Sequence, residues 1–555
     1  MNSLRMVFKN VSLEPFDSTA NSVLVEDGLV VGLGDWSDIE NLVTAEAITI
    51  DGEGCTLLPG IEDSHLHGYM YGRRLSGVDL SPSACPDLNS VNRVLREHAQ
   101  NHDGWIRGYG WVSGTFQGSG PDGSPHQNDL IASGVDQPAI LTDFSGHQAW
   151  CNAKAMELAG ISAATEAPVG GVIVRDANGA PTGLLLEAAV QLVTRSMPAP
   201  TNLEINHALT AARDVLLANG ITAFTEPGLG PGAASLDDGT ASFAVLDEYR
   251  KMANDQELNI RVNAMLLFGG LGGTTPAEVS DGLDKFGPPQ PANQAELVTV
   301  NQVKLFADGI PRSRTAWMSE PYDNCKRGHL TVAGENDLER VQTLNSIINR
   351  ASARGWQLGI HATGDETISA IIAGLKPSQE ISRSRHYVIH GDIIKTKDLP
   401  KFRELGIGLN LQPGIRWMVG RSVEPVLGRE RALRRIELRR MVSEGIAVSL
   451  SSDAPVTNPD WRHIFATATR RNFADEPNFD DGQALTPLEA MLSLTLNPAF
   501  QSHSETWRGS ISPGKVADLV LMDSRVDWQE ARLLGINAKP RAVFLAGRQV
   551  FGDNV

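Results

Sequence analysis

A chain of 555 residues, 41% hydrophobic and 21% charged, is globular and has ample material for a large core. Its formal net charge of −18 argues against a nucleic-acid surface, and no apolar run approaches the roughly 20 residues that span a bilayer. The opening MNSLRMVFKNVSLEPFDSTA lacks the apolar segment of a signal peptide, and Cys55, Cys85, Cys151 and Cys325 form no CxxC, so a cytoplasmic protein with reduced thiols is expected.

The first sixty residues read as short strands with turns: RMVFKNVSL, SVLVEDGLVVGLG and AITIDGEGCTLLPG. The last fifty do the same, in GSISPGKVADLVLMDS and PRAVFLAGRQVFG. Neither end can bury an apolar face alone, so residues 1–58 and 505–555 predict one small β-sandwich domain built from both termini. Between them, a strand at 59–69 is followed by strands at 220–228, 259–270, 298–309, 356–365, 386–392, 405–413 and 445–455. Helical stretches such as NDLERVQTLNSIINRASARG and EPVLGRERALRRIELRRMVSEG separate them. Apolar runs alternating with helices read as βα units, and eight of them predict a (β/α)8 TIM barrel, an α/β fold with its chemistry at the C-terminal strand ends. Strand 1 then occupies 59–69 and the rest of the barrel 216–504. TPLEAMLSLTLNPAF predicts a late helix, with Thr486 and Glu489 spaced as a capping box and Pro487 at its first position.

Residues 70–215, after strand 1, are far too many for an ordinary connection. They carry strands of their own (GWIRGYGW, PAILTDFSGHQAW, GGVIVRD) and helices (NSVNRVLREHAQ, LLLEAAVQLV). An inserted lid or specificity subdomain is expected there.

LLPGIEDSHLHGYMYG, 57–72, holds two histidines one residue apart. On a strand, His65 and His67 would share a face. Of the thirteen histidines in the chain, His361 in GIHATGD and His390 in VIHGD also fall where barrel strands run out into loops. Lys304 in VKLFADG and Asp453 in LSSDAP do the same, whereas His98, His102 and His207 sit in helical or polar contexts. Imidazole and carboxylate donors gathered at one barrel mouth suit Zn²⁺, with Mn²⁺ or Fe²⁺ acceptable to the same site.

At this point LLPGIEDSHLH, GYGW with GHQAWCN, VKLFADG, HATGDE, SSDAPV and GSISPGKVADLVLMD together resemble the amidohydrolase superfamily. More narrowly they resemble its YtcJ-like branch, which includes N-substituted formamide deformylases. The resemblance spans nearly the whole chain. It implies two divalent metal ions, the more buried one held by His65 and His67 and the second by His361 and His390. It implies that Lys304 is carboxylated and bridges them, and that Asp453 is both a ligand and the catalytic proton shuttle. Ile389 stands where relatives often have a glutamate, and Glu226 where they often have an aspartate. Neither is a ligand in the family scheme, so these departures bear on substrate contacts.

The chemistry is coherent on its own terms. A lysine ammonium, with a reference pKa of about 10.4, cannot ligate. Carboxylation by CO2 turns it into a carbamate with two donor oxygens. Two ions about 3.5–4 Å apart would share a bridging hydroxide at neutral pH and polarise a carbonyl, while Asp453 passes the proton to the leaving nitrogen. The expected activity is hydrolysis of a non-peptide amide, an N-acyl or N-formyl amine. The alternatives are a cyclic-amide hydrolase or deaminase with a single metal, and a non-catalytic scaffold, although scaffolds lose ligands and all six positions stand here. Tyr109, Trp111 and His147 in the insertion, with Asp308, Arg314 and Gln412 in barrel loops, are the candidate contacts to a small-molecule amide. A homodimer is compatible with this reading; membrane and nucleic-acid partners are not expected.

Overall fold

The computed structural model describes residues 5–552 except 45, 113, 145, 147, 169–170, 237–238, 324 and 376–378. Eight parallel strands lie side by side in chain order: Ile61–Asp63, Ile221–Leu229, Arg261–Leu266, Val298–Phe306, Gln357–Ala362, Tyr387–His390, Gly408–Leu411 and Val448–Leu450. They are barrel strands 1 to 8. Every residue of strands 2, 3 and 5 is buried, as expected where helices cover the outer face of a parallel sheet. The ladder runs from strand 1 to strand 8, and other bonds join the two ends. Ser64 Oγ donates to the Leu450 carbonyl at 2.9 Å, Ser452 N–H to Asp63 Oδ1 at 3.1 Å, and Asp453 N–H to the His65 carbonyl at 2.9 Å. This seam is where the first and last strands release their chains into loops.

Side chains fill the barrel below the mouth. Glu62 pairs with Arg508, and Asn263 Nδ2 donates to Glu62 Oε1 at 3.1 Å. Above them, the Tyr387 hydroxyl donates to Gln302 Oε1 at 3.0 Å. Strand 5 makes room for that ring with Gly359, where a Cβ would sit 2.7 Å from Tyr387 Cζ and 2.6 Å from Met265 Cε.

Local sequence explains most of the helices. Asn336 accepts the Glu339 N–H and opens the helix Asp337–Ser352. Thr486 and Glu489 form the expected capping box, but the predicted single helix divides into Pro487–Leu492 and Leu496–Gln501. A continuous helix would drive the Pro498 ring against the carbonyl four residues earlier. The stretch 424–445 breaks likewise into Glu424–Leu427, Arg429–Leu433 and Leu438–Ser443, with Gly428 at φ 79° and Ile436 at φ 53° between the pieces.

Two four-stranded sheets stand beside the barrel in the chain. One contains Leu29–Gly34, Ser22–Glu26, Arg5–Lys9 and Ile48–Asp51; the other contains Arg548–Gly552, Pro540–Leu545, Leu519–Met522 and Leu57–Pro59. They share one buried cluster, in which Phe8 meets Phe544 edge to face at 5.1 Å. Buried Arg261, on barrel strand 3, pairs with Asp518 at 2.8 Å.

By compactness the chain divides into two units. One comprises 1–67, 213–231 and 249–555, the other 68–212 and 232–248. The second unit thus takes a segment after barrel strand 2 as well as the long stretch after strand 1. Its six-stranded sheet runs Gly171–Arg175, Pro181–Glu187, Gln148–Cys151, Ala139–Asp143, Ile106–Trp111, Val78–Asp79. LLLEAAVQLV, expected to be helical, begins as a strand, because Leu184, Leu185 and Leu186 pair with Trp150, Ala149 and Gln148. Its remainder forms a short turn and the helix Gln191–Thr194. Cys55, Cys85 and Cys151 are buried free thiols and Cys325 is exposed. Among the described residues no helix is long and apolar enough to cross a membrane.

Candidate metal centre

Strand 1 ends at Asp63, so His65 and His67 stand in the bend beyond it rather than on one face of the strand. Main-chain bonds fix that bend: Leu66 N–H donates to the Thr225 carbonyl at 3.0 Å and His67 N–H to the Ala454 carbonyl at 2.8 Å. The two rings stand edge to face, their centroids 5.5 Å apart. Both present Nε2 to one oxygen of Asp453, Oδ1, at 3.4 Å from His65 and 3.5 Å from His67. Donor atoms of these three residues all fall within 4.8 Å of one another, the spacing of a metal-ligand group.

Three further residues join them. Lys304 is on strand 4, with Nζ 3.4 Å from His65 Nε2. His361, on strand 5, and His390, the last residue of strand 6, have ring centroids 4.6 Å apart, and His390 lies 5.9 Å from His65. Strand alternation alone would turn His390 away from the interior, because Tyr387 and Ile389 face inward against Met265. A left-handed backbone at His390, φ 73°, breaks the alternation. Asp453, three residues beyond strand 8, has φ 55°. Non-glycine residues in this region cost of order 1–3 kcal/mol, and such strain concentrates at functional sites.

Burial sets the protonation of the group. It brings the Lys304 ammonium down to about 7, against an upward pull from Asp453. Burial first, then Lys304 and the neighbouring histidines, hold His65 well below the ordinary imidazole range. Burial and then His361 bring His390 down to about 3. Burial pushes Asp453 upward, but its hydrogen bond from His67 and the charges of His390, His67 and Lys304 leave it below the usual carboxylate value. Neutral imidazoles beside an ionised carboxylate are the forms in which these side chains bind a divalent ion. His65 Nδ1 and His361 Nδ1 are buried without a hydrogen-bond partner, His361 Nδ1 lying near the Asp308 carboxylate at 3.6 Å. The residues present fit a metal.

The candidate substrate residues fare differently. Asp308 is buried and fully engaged: it accepts from Thr363 N–H at 3.0 Å, Gly364 N–H at 2.9 Å, Trp317 N–H at 3.2 Å and the Thr367 hydroxyl at 2.7 Å. Its Oδ1 is 3.6 Å from His361 Nδ1. Asp308 therefore ties the strand 4 loop to the strand 5 loop behind a histidine instead of facing a ligand. Gln412 is also buried, with Oε1 2.7 Å from His390 Nδ1. Arg314 pairs with Asp323 at 2.7 Å on an exposed loop. Trp111 is fully buried in the second unit, donating Nε1–H to the Leu141 carbonyl at 2.8 Å, and so belongs to that unit's core. Tyr109 is buried there too, beneath the Arg74 guanidinium at 5.4 Å. His147 lies outside the described residues. Asn410 and Ser64 escaped the reading of the sequence, although each bonds within the seam; their one visible signal was an asparagine inside the apolar run LGIGLNLQP.

An eight-stranded parallel barrel with imidazoles and a carboxylate gathered at its C-terminal strand ends defines a (β/α)8 barrel with a candidate metal centre at its mouth. Residues 49–551 match the sequence profile of the amidohydrolase family, and the chain belongs to that family. It is 27% identical over 537 residues to YtcJ of Bacillus subtilis (strain 168), which is named as an amidohydrolase, covering 94% of this chain and 95% of that one. It is 28% identical over 535 residues to the N-substituted formamide deformylase of Arthrobacter pascens, covering 94% of each chain. Among solved structures, an uncharacterised metal-dependent hydrolase from Pyrococcus horikoshii OT3 shares the fold with a TM-score of 0.74 at 21% identity, over 95% of this chain and 99% of that one.

Proposed function

We propose that this protein is a metal-dependent hydrolase of a non-peptide C–N bond, with an N-acyl or N-formyl amine as substrate. The observation that carries the reading is the convergence of His65, His67 and Asp453 donors within 4.8 Å, beside Lys304 and the His361–His390 pair. The likeness to a formamide deformylase across 94% of both chains supports the substrate class.

His65, His67 and Asp453 would hold one ion and His361 and His390 a second, with carboxylated Lys304 between them. Bound there, the metals would polarise the scissile carbonyl and acidify water. Lys304 is suited to carboxylation because burial leaves much of its amine unprotonated near neutral pH, and the neutral amine is the form that adds to CO2 with loss of a proton. Asp453 keeps Oδ1 toward the two imidazoles; its Oδ2 takes the proton from the attacking water and returns it to the departing nitrogen. The filled barrel below Tyr387 excludes bulk water from beneath. We also read the two terminal sheets as one β-sandwich domain, supported by their shared core.

Elemental analysis of purified protein, followed by hydrolysis assays on N-formyl and N-acyl amines, cyclic imides and carbamates, tests the proposal. We expect about two equivalents of zinc-like metal, release of carboxylate and amine from the open-chain amides, and complete loss of activity on chelation. Full activity in demonstrably metal-free protein would refute it.

A further inference from the structure

We propose that Gln412 is a positioning residue that fixes the proton of His390 on Nδ1 and so turns its Nε2 toward the metal centre. What Nε2 meets rests on the hydrolase reading above; where the proton sits does not.

Gln412 Oε1 is 2.7 Å from His390 Nδ1. A side-chain amide can present oxygen or nitrogen, so its other partners must decide its orientation. They do so here. Gln412 Nε2 donates to Asn410 Oδ1 and to Ser451 Oγ, each at 2.9 Å, which occupies both of its N–H bonds. Asn410 is oriented in turn. Its Oδ1 also accepts from Ser451 Oγ at 2.8 Å, and its Nδ2 donates to the Ser64 carbonyl at 3.0 Å and to Gln501 Oε1 at 3.1 Å. Flipping Gln412 would set its oxygen against Asn410 Oδ1, acceptor against acceptor. A carbonyl oxygen cannot donate, so His390 Nδ1 carries the hydrogen and Nε2 keeps the lone pair.

The amides of the network are buried, with Gln412 1% and Asn410 0% exposed, so bulk water cannot take over the bonds between them, while His390 itself is half-buried. It spans strands 6, 7 and 8 and reaches Ser64, the residue before His65, across the seam. His390 needs such a tether, because it leaves its strand with a left-handed backbone and is no longer aimed by the pleat. Outer partners of this kind fix the tautomer and ring direction of ligating histidines, and losing one typically costs about 10–100-fold in metal affinity.

Full-length protein, isotope-labelled at the histidine ring nitrogens and stripped of metal, reports the tautomer by NMR at mildly alkaline pH. The His390 signals are assigned by their loss in His390→Asn. Wild type should show Nδ1–H. Gln412→Leu should show mixed tautomers and bind one of two equivalents of Co²⁺ about 10–100-fold more weakly. Gln412→Glu keeps an acceptor opposite Nδ1 and should preserve the Nδ1–H tautomer, which a merely space-filling role would not do, at a cost in stability because its second oxygen replaces the donor to Asn410 Oδ1. An Nε2–H tautomer in wild type overturns the proposal. So does a natively folded Gln412→Leu with unchanged tautomer and affinity. If Gln412→Leu does not fold, the wild-type tautomer and Gln412→Glu decide the matter. A wild type with Nδ1–H that binds no metal refutes the hydrolase reading and leaves the role of Gln412 standing.

Discussion

The two halves of the proposed metal centre are held by different parts of the protein. His65, His67 and Asp453 straddle the seam between strands 8 and 1, and main-chain bonds place them: Asp453 N–H on the His65 carbonyl, His67 N–H on the Ala454 carbonyl. His361 and His390 leave adjacent strands that are properly laddered, with His361 opposite Ile389 in the register. Side chains stand behind these two, the Asp308 carboxylate behind His361 and the Gln412 amide behind His390. Backbone geometry thus preassembles one half, whereas the other depends on replaceable side chains. The seam half should tolerate changes behind it, and the second half should not.

The largest effect is expected at the seam itself. Asp453→Asn removes the proton acceptor but keeps an oxygen toward the imidazoles, so turnover should fall at least about 10²-fold while metal content holds. Steady-state kinetics with elemental analysis checks this, and near-normal turnover at normal metal content would remove Asp453 from the proton path.

Lys304→Ala strikes between the halves and should lose about one of two metal equivalents together with most activity. Formate or acetate should restore part of both, by supplying oxygens in the vacated space. Intact-protein mass spectrometry should find the added CO2 in the native protein, and an unmodified lysine in active, metal-loaded enzyme would rule out the bridge.

A smaller effect is expected behind the second half. Asp308→Asn keeps one oxygen but turns its NH2 toward either the Thr363 or the Gly364 N–H, donor against donor, which should cost about 1–3 kcal/mol of stability and weaken metal binding at His361. Thermal unfolding and Co²⁺ titration measure the two parts. An unchanged melting temperature would mean the loop does not need that carboxylate.

The smallest effect at neutral pH lies outside the centre. Buried His386 accepts the Leu358 N–H on Nδ1 at 3.0 Å, so its neutral form carries the proton on Nε2, 2.9 Å from Ser352 Oγ. Burial, and then His503, lower its pKa from 6.5 to about 4. Between those values the unfolded chain binds a proton that the folded protein refuses. The contribution of His386 is therefore complete above pH 6.5 and is lost as pH falls toward 4. His386→Asn should flatten the stability profile in that window by about 1.4 kcal/mol per pH unit. An unaltered slope would mean that His386 is already protonated in the fold.

Much of this was legible in the chain. Period and composition determined the alternation of apolar runs and helices that makes a parallel barrel, because strands buried on both faces must be apolar throughout. Chemistry-bearing residues interrupting those runs at their ends marked the centre, since a buried imidazole or lysine is costly without a role. The capping box at Thr486 and Glu489 was readable because it is local. Tertiary structure alone decided what depends on distant partners. The start of LLLEAAVQLV becomes a strand because Gln148–Trp150 on one side and Gly171–Ile173 on the other offer edges. His390 joins the centre only through a left-handed backbone that no periodicity encodes. Asp308 and Gln412 looked like loop residues free to meet a ligand until the fold engaged them. Hydrogen-bond capacity is a property of the residue, but whether it is already spent depends on neighbours that may stand hundreds of positions away, as Ser64 does from Asn410.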